Sequence, residues 1–476
     1  MKSHLKTSLL LTCAAMAGLS TLPLNAQPAP AASSNASKTL PGIENFKKYK
    51  YGFFVHYVWG GNYRGMTRTK IEGTGKEKGL GAVPASIDAL ADDFDAQKFA
   101  DDLASWGVEY VIFTAYHANI NPLFPSETMK KWGLANHTPK RDLIGDMIKA
   151  VKAKGIAVLL YTHPRDGHDL RGDDGIKTGW GPAKGIHPTK AFDKEKWNNF
   201  TAELYTEIVN RYGKDLAGIY IDEGSSRGNS DTIVDYARLR DIIKKANPNL
   251  IMIHNFFGNI YTCDIGDKEY HHGGPFKVAE GAKFADGSQW PSNSKPLGIV
   301  FDKTWWAEAP EGVNTVTFTP EDMFRFTVLQ ASANTDGGGV QWAAGPYPGG
   351  GWETGVDETM KKVWGYIQPI AESIKSTFPS KSYVTKPGKK ISDLTWGVAT
   401  RSVDDKYEYI HVLKAPESKT LTLPAPADGK KFATATLLPA GTPVELKQDA
   451  SGVKLTLGAK DNWSPLNTVI RLNVTK

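Results

Sequence analysis

Residues 108–166 read VEYVIFTAYHANINPLFPSETMKKWGLANHTPKRDLIGDMIKAVKAKGIAVLLYTHPRD. Two apolar runs, Val108–Ala115 and Ile156–Thr162, bracket the stretch Arg141–Lys154. In that stretch Leu143, Met147, Ile148 and Val151 recur at three- and four-residue steps, the spacing of one helix face. Gly155 follows as a stop. Neither run alternates polar with apolar; each is apolar nearly throughout. A strand of that kind is buried on both faces, which is the habit of parallel sheets covered by helices.

The same unit repeats on both sides. Upstream lie Tyr51–His56 and a helical stretch Phe94–Trp106, with Phe94, Phe99, Leu103 and Trp106 on one side. Downstream come a helix Trp197–Tyr212 closed by Gly213, a strand Leu216–Ile221, and a helix Thr232–Ala246 stopped by Asn247-Pro248. Further apolar runs follow at Leu250–His254, Leu297–Phe301 and Val340–Ala343, with helices at Glu321–Ala333 and Val356–Ser373. About eight strands in one series favour closure, so the expected fold is α/β, a (β/α)8-like TIM barrel. Between Gly60 and Phe94 little periodicity is visible.

The pattern changes after Pro379. Thr395–Thr400, Tyr407–Leu413, Thr420–Leu423, Thr434–Leu438, Val453–Leu457 and Thr468–Val474 are short β-runs separated by turn residues. They predict a C-terminal antiparallel β-sandwich domain over 380–476, after a barrel over 39–379. At the other end, Lys2, His4 and Lys6 precede an apolar run, Leu9–Leu24, and Leu24-Asn25-Ala26 offers a cleavage site. Residues 1–26 therefore read as a signal peptide, placing the protein in the periplasm or outside the cell. The Pro/Ala/Ser stretch 27–38 reads as a disordered linker. No later segment is apolar for long enough to span a membrane.

Composition narrows the function. The net charge of +6 is mild, and two of those lysines fall in the signal segment, so nucleic acid is not an expected partner. The chain has 2 Cys, and only Cys263 lies beyond the signal, which excludes an intrachain disulfide. No Cys-His-Asn pattern surrounds it, so it reads as a packed thiol. The 13 Trp and 18 Tyr suit a pocket that stacks sugar rings, although aromatics line most pockets. A carbohydrate is thus the expected partner; no cofactor and no metal are expected, and the oligomeric state is left open. His271-His272 could suggest a metal pair, but adjacent histidines seldom reach one ion.

In a parallel barrel, polar residues just past the strands' C-terminal ends face the site. Here those ends give His56; Tyr116, His117 and Asn119; His163; Asp222-Glu223; His254-Asn255; and Trp305-Trp306 after Asp302. Asp222 stands out, because a carboxylate directly after Ile219-Tyr220-Ile221 is costly to bury unless it is bonded or catalytic. A helix cap or an arginine partner would also account for it. Alternation puts Tyr220 on the Asp222 side and Glu223 on the other.

These residues carry a resemblance. Lys48–His56 (KYKYGFFVH), Thr138–Leu143 (TPKRDL), Ile219–Asp222 (IYID) and Gly337–Pro346 (GGGVQWAAGP) are similar to segments of glycoside hydrolase family twenty-nine, the retaining α-L-fucosidases. The resemblance covers about Lys48 to Pro369. It implies a secreted exo-acting hydrolase with Asp222 as nucleophile and Glu269, in a loop at Asp264–Glu269, as acid/base. It implies sugar contacts from His56, Tyr116, His117, Asn119, His163, Tyr220, Trp305 and Trp306. Glu223, Glu280 and Glu308 rival Glu269. Where the family has Lys-His-His-Asp this chain has Tyr116-His117-Ala118-Asn119, and Asp267-Lys268 replaces Thr-Pro before the acid/base. An α-L-galactosidase, an endo-acting fucan hydrolase and a barrel that binds sugar without cutting it are the alternatives.

Overall fold

A computed structural model describes residues 41–59, 84–117, 120–165, 167, 170, 172–182, 191–222, 233–255, 263–270, 296–299, 316, 318–333, 338–347, 349–352, 355–386 and 388–475. The signal segment, the linker, Asn119, Glu223, Glu280, Trp305, Trp306 and Glu308 lie outside the described residues.

In chain order the first part contains α1 (Pro41–Lys48), β1 (Tyr51–Val55), α2 (Ile87–Asp92), α3 (Ala96–Ser105), β2 (Tyr110–Thr114), α4 (Glu127–Lys131), α5 (Leu143–Ala153) and β3 (Ala157–Thr162). Then come α6 (Gly172–Thr178), α7 (Lys194–Tyr212), β4 (Gly218–Ile221), α8 (Tyr236–Ala246), β5 (Ile251–Asn255), β6 (Ile265–Tyr270) and β7 (Pro296–Ile299). α9 (Pro320–Ala331), β8 (Val340–Ala343) and α10 (Val356–Ile367) complete this part. The strands β1 to β8 pair in chain order and in parallel, and β8 pairs β1, so the sheet closes into a barrel. Among the described residues, helices follow β1, β2, β3, β4, β7 and β8.

Two apolar layers hold the barrel. Inside, Phe54, Tyr110, Ile112, Leu159, Tyr161, Tyr220, Ile251, Ile253 and Ile265 form one cluster. Outside, the alternate residues, Phe53, Val111, Phe113, Leu160 and Ile219 among them, pack against the helices. Fully burying one such side chain is worth about 1.5–3 kcal/mol. Phe46 of α1 joins the inner cluster, its ring 5.0 Å from that of Tyr110. A Cβ at Gly52 would lie 2.2 Å from Tyr110 Cζ, so β1 needs glycine there to admit the ring.

Helix starts follow side-chain caps rather than the apolar period. α5 begins after Asp142, α7 after Asp193 and α8 after Asp235, each carboxylate accepting a backbone N–H three residues on. This shortens the helix expected from Thr232. At the other end, Pro369 stands where the α-helix of α10 tightens into a 3₁₀ segment, Gln368–Ser373, with non-helical Ile370.

The C-terminal strands are β9 (Thr377–Pro379), β10 (Gly397–Ser402), β11 (Tyr407–Val412), β12 (Thr420–Leu423), β13 (Phe432–Leu438), β14 (Pro443–Asp449), β15 (Gly452–Thr456) and β16 (Thr468–Val474). They form one antiparallel sheet, ordered β12-β15-β14-β13-β16-β11-β10-β9. Two separate sheets were expected. Instead β14 pairs β13 only through Val444 and Pro443, then pairs β15 over Glu445–Asp449, and so links both arms. Leu421, Val453 and Leu455 of one arm share a cluster with Ile410, Leu437 and Ile470 of the other. The sheet also joins the barrel's outer core through Val398, Tyr409, Leu413 and Val469. The Glu109 carboxylate ties the two together, accepting the N–H groups of Lys50 (2.7 Å), Tyr51 (3.1 Å) and Ser376 (2.9 Å).

Candidate active site

The barrel's polar residues gather at one end. Asp222 directly follows β4, and its own N–H donates to Thr162 O of the neighbouring strand at 3.0 Å. Its side chain keeps 14% exposure, so it is sunk but reachable. Both oxygens are held: Asn255 Nδ2 donates to Oδ1 at 2.6 Å, and the Tyr161 hydroxyl makes a short hydrogen bond to Oδ2. Donors on both oxygens fix the direction of the carboxylate. His163 Nε2 lies 3.9 Å from Oδ2.

Three histidines wall the same space. The rings of His117 and His163 are 4.9 Å apart, and His117 stacks on Tyr161 at 5.4 Å and 14°. His56 meets His117 at 5.1 Å and Tyr161 at 4.7 Å, edge to face in both cases. His56 Nδ1 is 3.0 Å from Thr114 Oγ1, and that hydroxyl donates to Val55 O at 2.7 Å. The threonine proton is thus spent, so Nδ1 of His56 carries the hydrogen and Nε2 is the acceptor; this tautomer is assigned from the network. Burial pushes the His56 pKa down to about 3, against a smaller opposing pull from Asp222. His56 is therefore a neutral acceptor at physiological pH, suited to a hydroxyl group.

Of the residues expected in the site, the structure brings together Asp222, His56, His117 and His163. Tyr220 lies beneath them, fully buried, stacked on Tyr161 at 5.8 Å and set against Phe54 at 5.3 Å. Tyr116 is not brought to Asp222. It belongs to the outer layer with Tyr205 of α7, and burial raises its hydroxyl pKa well above the usual value. The cause is local: β2 ends at Thr114 and the chain bends at Ala115, so His117 takes the inward direction that alternation gave to Tyr116. Glu269 sits not on a loop but on β6, at the position paired with Leu297; its side chain is outside the described part.

Two partners escaped the sequence reading, and a third, Asn255, was read there only as a polar strand end. Tyr161 was hidden inside an apolar run, although it lies two residues before His163 and shares its side of the strand. Asn255 follows His254; the pair divides, Asn255 turning inward and His254 outward to Tyr236, with ring centroids 5.2 Å apart. Asp267 is buried in the barrel, in a short hydrogen bond with Gln341, whose Oε1 accepts the Tyr110 hydroxyl at 3.2 Å. No metal was expected, yet one ligand atom each from His117, His163 and Asp222 lie within 4.8 Å of one another, a spacing that could hold an ion. The same groups equally form a polar wall for a hydroxylated ligand.

Residues 88–281 match the family model described as alpha-L-fucosidase. The chain is 23% identical to rat tissue alpha-L-fucosidase over 407 residues, which cover 80% of this chain and 78% of the relative. Among solved structures, alpha-L-fucosidase isoenzyme 1 from Paenibacillus thiaminolyticus superposes with a TM-score of 0.64 at 18% identity, covering 92% of this chain and 99% of the other. A Bacteroides thetaiotaomicron alpha-L-fucosidase, trapped as a covalent intermediate with 2-fluoro-fucosyl fluoride, gives the same score and identity over 92% and 96%. A parallel barrel with a bonded carboxylate at a strand's end, together with these matches, defines a glycoside hydrolase. Over residues 88–281 the chain resembles the alpha-L-fucosidase family, and its fold is that of a solved fucosidase of glycoside hydrolase family 29.

Proposed function

We propose that this protein is a retaining exo-α-L-fucosidase that removes terminal fucose from glycans or polysaccharide outside the cytoplasm, after residues 1–26 are cleaved. The observation that carries the reading is the Asp222 carboxylate, fixed by Tyr161 and Asn255 and walled by His56, His117 and His163. In this reading Asp222 attacks the anomeric carbon as the bond to the leaving oxygen breaks. A carboxylic acid, assigned to Glu269, gives that oxygen its proton. The same group then takes a proton from water, which displaces Asp222 and returns the sugar with its configuration retained. Such a pair works at a separation of about 5–5.5 Å.

The histidines hold the sugar's hydroxyls. His56 Nε2 is an acceptor suited to a sugar hydroxyl, and a site built to bond a hydroxyl disfavours a sugar that lacks it. The Bacteroides relative trapped as a covalent intermediate supports a glycosyl-enzyme route for this chain too. Among the described residues no helix is long and apolar enough to cross a membrane. A barrel over 39–379 with a β-domain over 380–476 completes the proposed organisation.

The test is hydrolysis of 4-nitrophenyl α-L-fucoside. Wild type is expected to turn it over and release the α-anomer first, as read by NMR, while Asp222→Ala binds fucose without turnover. Preference for the aryl α-L-galactoside, or inertness on both, would overturn the reading.

A further inference from the structure

We infer that His117, His163 and Asp222 form an inhibitory site for a zinc-type divalent ion, so that metal and sugar compete for the mouth of the barrel. That such an ion inhibits rests on the fucosidase reading above; that it binds does not.

The three ligands come from three neighbouring strands. β2 pairs β3, β3 pairs β4, and Thr162 stands opposite Ile221. His163 and Asp222 each follow those partners by one residue, so they leave the sheet side by side. His117 comes three residues after the end of β2, beyond the bend at Ala115. One ligand atom from each of the three lies within 4.8 Å of the others.

Little movement closes the set on an ion. Zinc binds imidazole nitrogen and carboxylate oxygen at about 2.0–2.2 Å in a tetrahedron, which places two ligands roughly 3.3–3.6 Å apart. His163 Nε2 is 3.9 Å from Asp222 Oδ2, so an approach of about 0.5 Å brings this pair to that spacing. Tyr161 and Asn255 fix the carboxylate, which leaves the histidine to move. His163 is 3% exposed, and its buried Nδ1 has no hydrogen-bond partner among the described residues, so no bond at that nitrogen pins the ring.

Two imidazoles and one carboxylate select zinc over magnesium and calcium, which take oxygen ligands. Three protein ligands leave the fourth position of the tetrahedron to water. Hydrolysis by two carboxylates requires no ion. A metal here engages an oxygen of the attacking carboxylate and fills the space of the sugar, so it blocks the reaction rather than assisting it.

The experiment uses the whole protein, stripped of metal by a chelator, with zinc chloride as the ligand. Calorimetry should find one equivalent of zinc bound at micromolar affinity. L-Fucose at about ten times its own Kd should raise the apparent zinc Kd about tenfold, as competition requires. His163→Ala removes a ligand, which costs at least as much as losing an outer-shell partner, so zinc should weaken by about 100-fold. Zinc-edge absorption on wild type, which needs no variant to fold, should show nitrogen and oxygen ligands at about 2.0–2.1 Å and no sulfur. In turnover of the aryl fucoside, zinc should raise KM and leave kcat, while magnesium at the same concentration has no effect. Absence of binding, zinc held equally by His163→Ala and in saturating fucose, or a sulfur ligand from Cys263 overturns the site and leaves the fucosidase reading intact. A wild type that binds zinc in this way but hydrolyses no fucoside overturns that reading, and the inhibition with it, while the metal site stands.

Discussion

The barrel and the antiparallel sheet each bury carboxylates and histidines, but they use them differently. In the sheet, Glu408 is fully buried; Lys430 Nζ lies 3.1 Å from it and the Ser380 hydroxyl makes a short hydrogen bond to it. His411, equally buried, is 3.1 Å from Ser373 O, and Thr400 donates to the same carbonyl. These groups tie strands to one another and to the 3₁₀ segment. In the barrel, Asp222 accepts hydrogen bonds from the neutral groups of Asn255 and Tyr161, and its side chain keeps 14% exposure. A buried carboxylate neutralised by a lysine is a fastener. A carboxylate aimed by side-chain donors at a strand's open end is placed to meet a ligand.

Substitutions can break or sharpen this contrast. Asp222→Ala should cost the largest effect, a fall of about 10⁴-fold in kcat, the scale seen when a member of a catalytic set is removed. Far-ultraviolet circular dichroism should show the fold retained. Lys430→Ala should act in the opposite sense. It leaves Glu408 buried without its cation and should lower stability by about 3 kcal/mol in urea titration, while kcat per folded molecule stays the same. Equal loss of activity in this variant would erase the distinction between the two regions.

Asn255→Ala removes one of the two donors that aim Asp222. A nucleophile misplaced by about 1 Å loses roughly 10²-fold, so kcat should fall on that scale with little change in stability. A fall confined to KM would make Asn255 a sugar contact instead. The pH dependence is smaller per group and spans both regions. Burial lowers the pKa of His56 and His254 to about 3 and that of His411 to about 4. In the unfolded chain they titrate near 6.5. Below that pH the unfolded state takes up protons that the folded state refuses, so stability is full above 6.5 and declines as pH falls toward 4. Each histidine should cost on the order of 2 kcal/mol between pH 6.5 and 5, read from urea midpoints. A midpoint flat over that range would mean that these histidines are not buried neutral.

Much of the barrel is legible in the sequence because its strands are apolar on both faces. Val108–Ala115 and Ile156–Thr162 announce themselves, and the helix between them keeps a clear period. β6 does not: Ile265–Tyr270 reads IGDKEY, with a buried Asp267 where other strands place an aliphatic side chain. β14 is equally hidden, since PVELKQD is mostly exposed and carries little apolar pattern. The candidate nucleophile was visible as a carboxylate at the end of an apolar strand. Its two donors were less so: Tyr161 looks like core, and Asn255, visible as a polar strand end, meets Asp222 only once the neighbouring strands are set side by side. Tyr116 shows the limit of alternation, which holds only while the strand does.

The most direct test is to trap the glycosyl-enzyme. Incubation with 2-deoxy-2-fluoro-α-L-fucosyl fluoride, followed by peptide mass spectrometry, should place a single fluorofucosyl adduct on the peptide containing Asp222, with activity lost in step with labelling. An adduct on any other carboxylate, or fucoside turnover that leaves no adduct while the reagent is consumed, would contradict the account.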